Sequence, residues 1–152
     1  MPCVSWSLRP LVPEDTDWLG ALKEAALRPD LERLGVWDPA RSRRRLLEEL
    51  APSSTWLVLA EGEPVGSIAL RPGETEQWLQ HFYLLPEHQG RGLGGAVLQH
   101  VLDRRYDPRP VRLLALRGGR ALGLYARHGF VRERDHENGI DVVLVRTARP
   151  VG

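Results

Sequence analysis

Six consecutive residues, Gln89-Gly90-Arg91-Gly92-Leu93-Gly94, hold the densest chemical signal in this sequence. They follow the extended-looking run Trp78 to Leu84 and precede the apolar run Ala96 to Leu102, so they read as a loop between a strand and a helix. Glycine lets a backbone pass close to a ligand and turn several N–H groups the same way. The first turn of the following helix adds unpaired donors and the positive end of its dipole, a combination suited to phosphate. Two other phosphate loops fit poorly. Gly90-x-Gly92-x-x-Gly95 satisfies the dinucleotide glycine pattern, but the strand ends several residues too early, and Leu113-Leu114-Ala115-Leu116-Arg117 offers no acid for a ribose. A nucleoside-triphosphate loop needs lysine and then Ser or Thr after its last glycine, and this loop has neither.

Composition bounds the rest. With 152 residues, 42% hydrophobic and 27% charged, residues 1–152 read as one globular domain. No run approaches the ~20 apolar residues of a membrane span, and the N-terminus lacks a basic-then-apolar export pattern, which points to the cytoplasm. Cys3 is the only cysteine, and no His/Cys/Asp grouping has metal-ligand spacing, so neither a disulfide framework nor a metal is expected. The net charge of +1 gives no general attraction to nucleic acid. Lys23 is the only lysine; the arginine excess can signal phosphate or carboxylate recognition, and a compositional bias explains it just as well. The cluster Arg41, Arg43, Arg44, Arg45 offers either an anion patch or a solvated helix face; Glu48 and Glu49, four residues on from Arg44 and Arg45, favour the latter.

The elements that must position the loop are legible in order. Val4 to Leu8 reads as a strand. Pro13 starts a helix with Trp18, Leu22 and Ala25 as its buried stripe, ended by Pro29. Asp38 caps a second helix with Pro39 as its first residue and Leu46, Leu47 and Leu50 as its apolar side. Thr55 to Ala60 and Val65 to Leu70 form a hairpin, Arg71-Pro72-Gly73-Glu74 is a turn, and Trp78 to Leu84 leads to the glycine loop and its helix. Val111 to Leu116 is a strand. Arg120 to His128 is a short helix with Ala121, Leu124 and Tyr125 on one face, capped by Gly129. Phe130 to Glu133 and Ile140 to Val145 finish as strands around Asn138-Gly139. The order β-α-α-β-β-β-α-β-α-β-β implies an α/β (α+β) domain with a mixed sheet.

Two stretches carry a family resemblance. Phe82 to Leu98, with Gln89-x-x-Gly92-x-Gly94, resembles the central strand, pyrophosphate loop and helix of the GNAT superfamily of N-acetyltransferases. Leu122-Gly123-Leu124-Tyr125-Ala126-Arg127-His128-Gly129-Phe130 resembles its second signature, and the N-terminal half matches the family's element order. The resemblance implies the GNAT fold, a central mixed, mostly antiparallel sheet of about seven strands flanked by four helices.

By the same resemblance the co-substrate is acetyl-CoA and the acceptor a small-molecule or peptide primary amine. No nucleic-acid or membrane partner is expected, and a homodimer through the last strands is compatible with the family. Backbone N–H groups of Gln89, Gly90, Arg91, Gly92, Leu93 and Gly94 would bind the pyrophosphate, and Leu84 and Leu85 would pair with the pantetheine arm, one N–H serving the oxyanion. Tyr125 matches the family's general acid, the other reading being an aromatic core residue. Two positions depart from the family: Gly118-Gly119 stand where relatives often have asparagine, and Gln80 where many carry a basic glutamate. The base is therefore open between a water oriented by Gln80, the neighbouring His81, which as a strand histidine is expected exposed and on the face opposite Gln80, and His136, Glu137 or Asp141 near the last strand. Trp37, Trp78 and Tyr83 are core residues or line the acceptor site. Direct attack is expected, since Cys3 lies outside both signatures. The rival reading is a non-catalytic acyl-CoA-binding module.

Overall fold

A computed structural model describes residues 5–103 and 107–147; Cys3 and Val4 lie outside the described residues. Seven strands and four helices occur among the described residues, in the order expected, with single turns of 3-10 helix at Pro13–Asp15, Pro52–Ser54 and Pro86–His88. The strands are β1 Trp6–Pro10, β2 Thr55–Ala60, β3 Glu63–Pro72, β4 Gln77–Leu84, β5 Val111–Leu116, β6 Val131–Asp135 and β7 Asp141–Arg146. The helices are α1 Thr16–Arg33, α2 Pro39–Glu49, α3 Leu93–Asp103 and α4 Ala121–Arg127. Strand order is β1-β2-β3-β4-β5-β7-β6. The β4–β5 ladder is parallel, while β1–β2, β2–β3, β5–β7 and β6–β7 are antiparallel.

The chain divides into two compact units, residues 1–69 with 81–93, and residues 70–80 with 94–152. In the first, Leu11, Leu19, Leu22, Leu46 and Leu57 form a buried cluster, with Trp18, Leu50, Leu59, Tyr83 and Leu85 packed against it. The expected helix stripes hold except at one residue in each. In α1 the buried residues are Leu19, Gly20, Leu22 and Lys23, and Ala25 is exposed. In α2 Leu46 is buried and Leu47 faces solvent. The rest of each stripe does face the core: Leu22 and Leu46 belong to the buried cluster, and Trp18 and Leu50 pack against it.

Pro29 lies inside α1, which runs on to Arg33. Proline removes only its own N–H and crowds the turn before it, so the residues after it still propagate the helix. Leu34 N–H donates to the Asp30 carbonyl at 2.9 Å. The cap of α2 forms as expected, with Arg41 N–H donating to the Asp38 carboxylate at 3.1 Å.

The Lys23 ammonium donates to the Ser42 carbonyl at 3.0 Å, joining α1 to α2, and burial lowers its pKa. Arg43 reaches over Gly20 to Asp17 at 3.4 Å and Glu24 at 3.7 Å, while Arg45 pairs with Glu49 at 3.4 Å. These two members of the arginine cluster thus have carboxylate partners within the helix pair.

Arg9 at the end of β1 donates both Nη groups to Asp15 at 3.0 Å, and Val12 N–H donates to the same carboxylate at 2.9 Å. The Arg9 hydrogen bond holds the Asp15 pKa below its ordinary 3.8. The stabilisation is therefore present above the unfolded value and lost as pH falls through the lowered folded value. Asp15→Asn should cost about 1 kcal/mol at pH 7, and urea melts should show the gap to wild type closing as pH drops below the carboxylate range.

In the second unit, β5 pairs with β7 from Val111↔Arg146 to Leu116↔Asp141. Arg112 on β5 donates to Glu76 at 2.6 Å and to Glu133 at 2.8 Å. On α4, Tyr125 is buried, Leu122 and Leu124 are half-buried, and Ala121 is exposed rather than part of the buried face. Gly129 ends this helix with φ +88°, in line with the expected cap.

Candidate active site

Strand β4 alternates as a half-buried strand should, with Gln77, Leu79 and His81 buried and Trp78 and Gln80 half-buried between them. The alternation then breaks. Phe82 and Tyr83 are both half-buried, and Leu84 is the next buried residue. His81 sits at the break with φ +50°, a left-handed conformation that costs a non-glycine residue on the order of 1–3 kcal/mol. Only 6% of it is exposed, so the expectation of an exposed strand histidine is corrected: this position follows Leu79 onto the strand's buried face. Its ring lies 6.2 Å from that of Tyr83.

Three consecutive residues of β3 hold the segment after the break. The Ser67 hydroxyl donates to the His81 carbonyl at 2.6 Å. Gly66 admits the backbone of Tyr83 and Leu84 so closely that a Cβ there would lie 2.5 Å from the Tyr83 carbonyl oxygen. Leu85 N–H donates to the Val65 carbonyl at 2.9 Å. Gly66 and Ser67 shape this approach of β3 to β4 and are not among the expected site residues; a Gly-Ser pair inside an apolar strand is the sequence signal of close backbone approach.

The loop opens with the turn Pro86–His88, where His88 N–H donates to the Leu85 carbonyl and Gln89 N–H to the Pro86 carbonyl. Gln89 Nε2 donates to the Leu84 carbonyl at 3.0 Å. Gln89 thus braces the loop, its backbone donor already occupied. Gly90 and Gly92 take left-handed φ values of +74° and +85°, and a Cβ on Gly92 would meet no protein atom within 4 Å. Arg91 is exposed, Leu93 is buried as the first residue of α3, and Gly94 is half-buried in its first turn. The first N–H groups of a helix have no intrahelical acceptor. The open face at Gly92 and these donors suit an anionic group at the backbone.

In the other unit, the Tyr125 ring packs edge-on against Phe130 with centroids 5.7 Å apart, and burial pushes its hydroxyl pKa well above the ordinary value. The Tyr125 carbonyl accepts from His128 N–H at 3.0 Å and Phe130 N–H at 3.1 Å. Gly95 of α3 faces the His128 ring, a built Cβ lying 3.5 Å from it. Gly118, at φ +69°, forms a tight turn with Gly119, whose N–H donates to the Leu116 carbonyl at 2.9 Å. That conformation accounts for glycine at position 118.

The other candidates have structural partners. Asn138 N–H donates to His136 Nδ1, and Asn138 Nδ2 donates to Asp141 at 2.7 Å, so both side chains help build the β6–β7 turn. Glu137 is exposed. The Arg28 guanidinium lies 5.4 Å over the Trp37 ring, and Trp78 Nε1 donates to Glu76 at 3.0 Å. Among the described residues no three His, Cys, Asp or Glu side chains gather as metal ligands would, and no helix is long and apolar enough to cross a membrane.

Comparison with solved structures gives the same topology. An acetyltransferase from Thermus thermophilus superimposes with a TM-score of 0.74 at 20% identity, covering 97% of this chain and 100% of that one. The PaiA N-acetyltransferase of Thermoplasma acidophilum, solved in complex with coenzyme A, gives 0.72 at 18% identity over 95% and 99% of the two chains. A longer Pyrococcus horikoshii chain gives 0.65 at 22% identity over 85% of this chain, which spans 44% of its length. No match was found among the curated proteins. The family model described as the acetyltransferase (GNAT) domain matches residues 51–132, more than half of the sequence, and runs from β2 through the glycine loop and α4 to β6. By that match and by its strand order, this chain belongs to the GNAT acetyltransferase family.

Proposed function

We propose that this chain transfers an acetyl group from acetyl-CoA to a primary amine by direct attack, as a single acetyltransferase domain acting in the cytoplasm. The observation that carries the reading is the loop from Gln89 to Gly94, with its two left-handed glycines running into a helix N-terminus. The relative from Thermoplasma acidophilum, solved with coenzyme A, supports a CoA ligand.

N–H groups from Gly90 to Gly94 hold the pyrophosphate, with Gln89 as the brace that orients them. Successive N–H groups of an extended chain point to opposite edges, and that of Leu85 is used by Val65. Leu84 N–H therefore serves the developing oxyanion, a contribution of about 3 kcal/mol when well aimed. Tyr125 donates its phenolic proton to the departing thiolate. Either a water oriented by half-buried Gln80 or the buried His81 imidazole accepts the proton of the amine.

Calorimetry with coenzyme A and thiol release across a panel of primary amines test the reading; no affinity for coenzyme A would sink it. Tyr125→Phe should lower kcat on the order of 100-fold with little change in CoA affinity. Burial raises the phenol above its ordinary 10.0 by disfavouring the phenolate. The acid thus keeps its proton as pH rises, and wild-type kcat should show no alkaline loss below pH 10. A second reading, a module that binds acyl-CoA without turnover, draws on Gln80 and Gly118-Gly119 in place of the family's Glu and Asn. CoA binding with no amine-dependent thiol release and no effect of Tyr125→Phe would favour it.

A further inference from the structure

We propose that Ser67 is a positioning residue for acyl transfer, its buried hydroxyl clamping the left-handed turn at His81 and so setting which edge of β4 each later backbone N–H faces. The inference rests on the acetyltransferase reading above. Its starting point is strain at a non-glycine residue within a strand, which persists only where neighbours over-determine it. Here they do. The His81 carbonyl accepts from Ser67 Oγ at 2.6 Å, and Ser67 is fully buried, so no water competes for that bond. Gly66 seats the Tyr83–Leu84 backbone, and the Val65 carbonyl takes the N–H of Leu85.

The consequence is a change of parity. Buried positions run 77, 79, 81 and then 84 rather than 83, so one residue has been absorbed at the break. A one-residue irregularity exchanges the faces and edges of everything that follows it. Without it, Leu84 N–H would point where Leu85 N–H now points, and the proposed oxyanion donor would be turned away. Ser67 touches no reacting atom in this scheme. It acts through His81 on the geometry of Leu84, so its loss should appear in the chemical step and not in CoA binding.

The test compares wild type, Ser67→Ala and Ser67→Thr, with coenzyme A in calorimetry and acetyl-CoA plus an amine panel in turnover. Thermal melts record the folded fraction at the assay temperature. Ser67→Ala should lower kcat at least tenfold while the CoA dissociation constant stays within threefold, and Ser67→Thr, which restores the hydroxyl, should recover most of kcat. Unchanged kcat in folded Ser67→Ala overturns the proposal and leaves the acetyltransferase reading standing. So does a loss of kcat shared equally by Ala and Thr, or one that merely tracks lost folded protein. If wild type binds no coenzyme A, or binds it without turnover, the acetyltransferase reading fails and this proposal fails with it.

Discussion

Gly92→Val is expected to weaken coenzyme A binding by about 100-fold, roughly 2.7 kcal/mol, in a protein that still folds. The reason is conformational. Gly92 has φ +85°, a region that a β-branched side chain enters only at a cost on the order of 1–3 kcal/mol. Nothing in the protein would block the new side chain, since no atom lies within 4 Å of its Cβ position. The variant therefore has two routes, and both oppose the ligand. It keeps the loop and projects an isopropyl group into the space where the diphosphate must approach the backbone, or it relaxes the loop and turns the N–H donors elsewhere. Gly139→Val is the control: Gly139 has φ +77° and the same free space, but lies in the β6–β7 turn. It should lose comparable stability and keep its CoA affinity. Calorimetry that finds Gly92→Val binding coenzyme A as tightly as wild type would remove the loop from the proposed site.

Gly66→Ala should have the largest effect on stability, about 2–4 kcal/mol, or a fall of roughly 5–15 °C in Tm. In most strands alanine replaces glycine with a small gain, because the unfolded chain loses freedom. At Gly66 the added carbon would sit 2.5 Å from Leu84 Cδ2 and 2.5 Å from the Tyr83 carbonyl oxygen. The leucine can rotate, but a backbone carbonyl in a strand cannot move without taking its neighbours along. The displaced neighbours are His81 through Leu85, so the variant should lose turnover as well as melting temperature. An unchanged or raised Tm in scanning calorimetry would show that the β3–β4 approach is looser than this geometry.

Strand and helix boundaries were largely readable because they depend on local chemistry. Asp38-Pro39 specifies a helix start through one carboxylate and one fixed φ, and α2 begins there. β2 and β5 occupy the expected residues Thr55–Ala60 and Val111–Leu116, bounded by turn formers. Orientation was less legible. Ala25, Leu47 and Ala121 sit on helices as expected but face solvent, since a stripe chosen by spacing alone has no knowledge of what the helix packs against. Pro29 misleads in another way: its penalty is local, and the helix around it is held by the buried Leu19 and Leu22.

The glycine loop, Gly129 after Tyr125 and the element order were therefore determined by the sequence alone, because glycine's access to positive φ and a segment's apolar period are properties of a few adjacent residues. The β4 break was decided only by the tertiary structure. Positive φ in mid-strand is uncommon even for histidine, and the hydrogen bond to its carbonyl comes from Ser67, fourteen residues earlier in the chain. Burial of His81, the seat at Gly66 and the use of Leu85 N–H by Val65 all depend on that pairing of distant segments. Contacts across such a separation are set by how β3 and β4 pack, which no window of neighbouring residues contains.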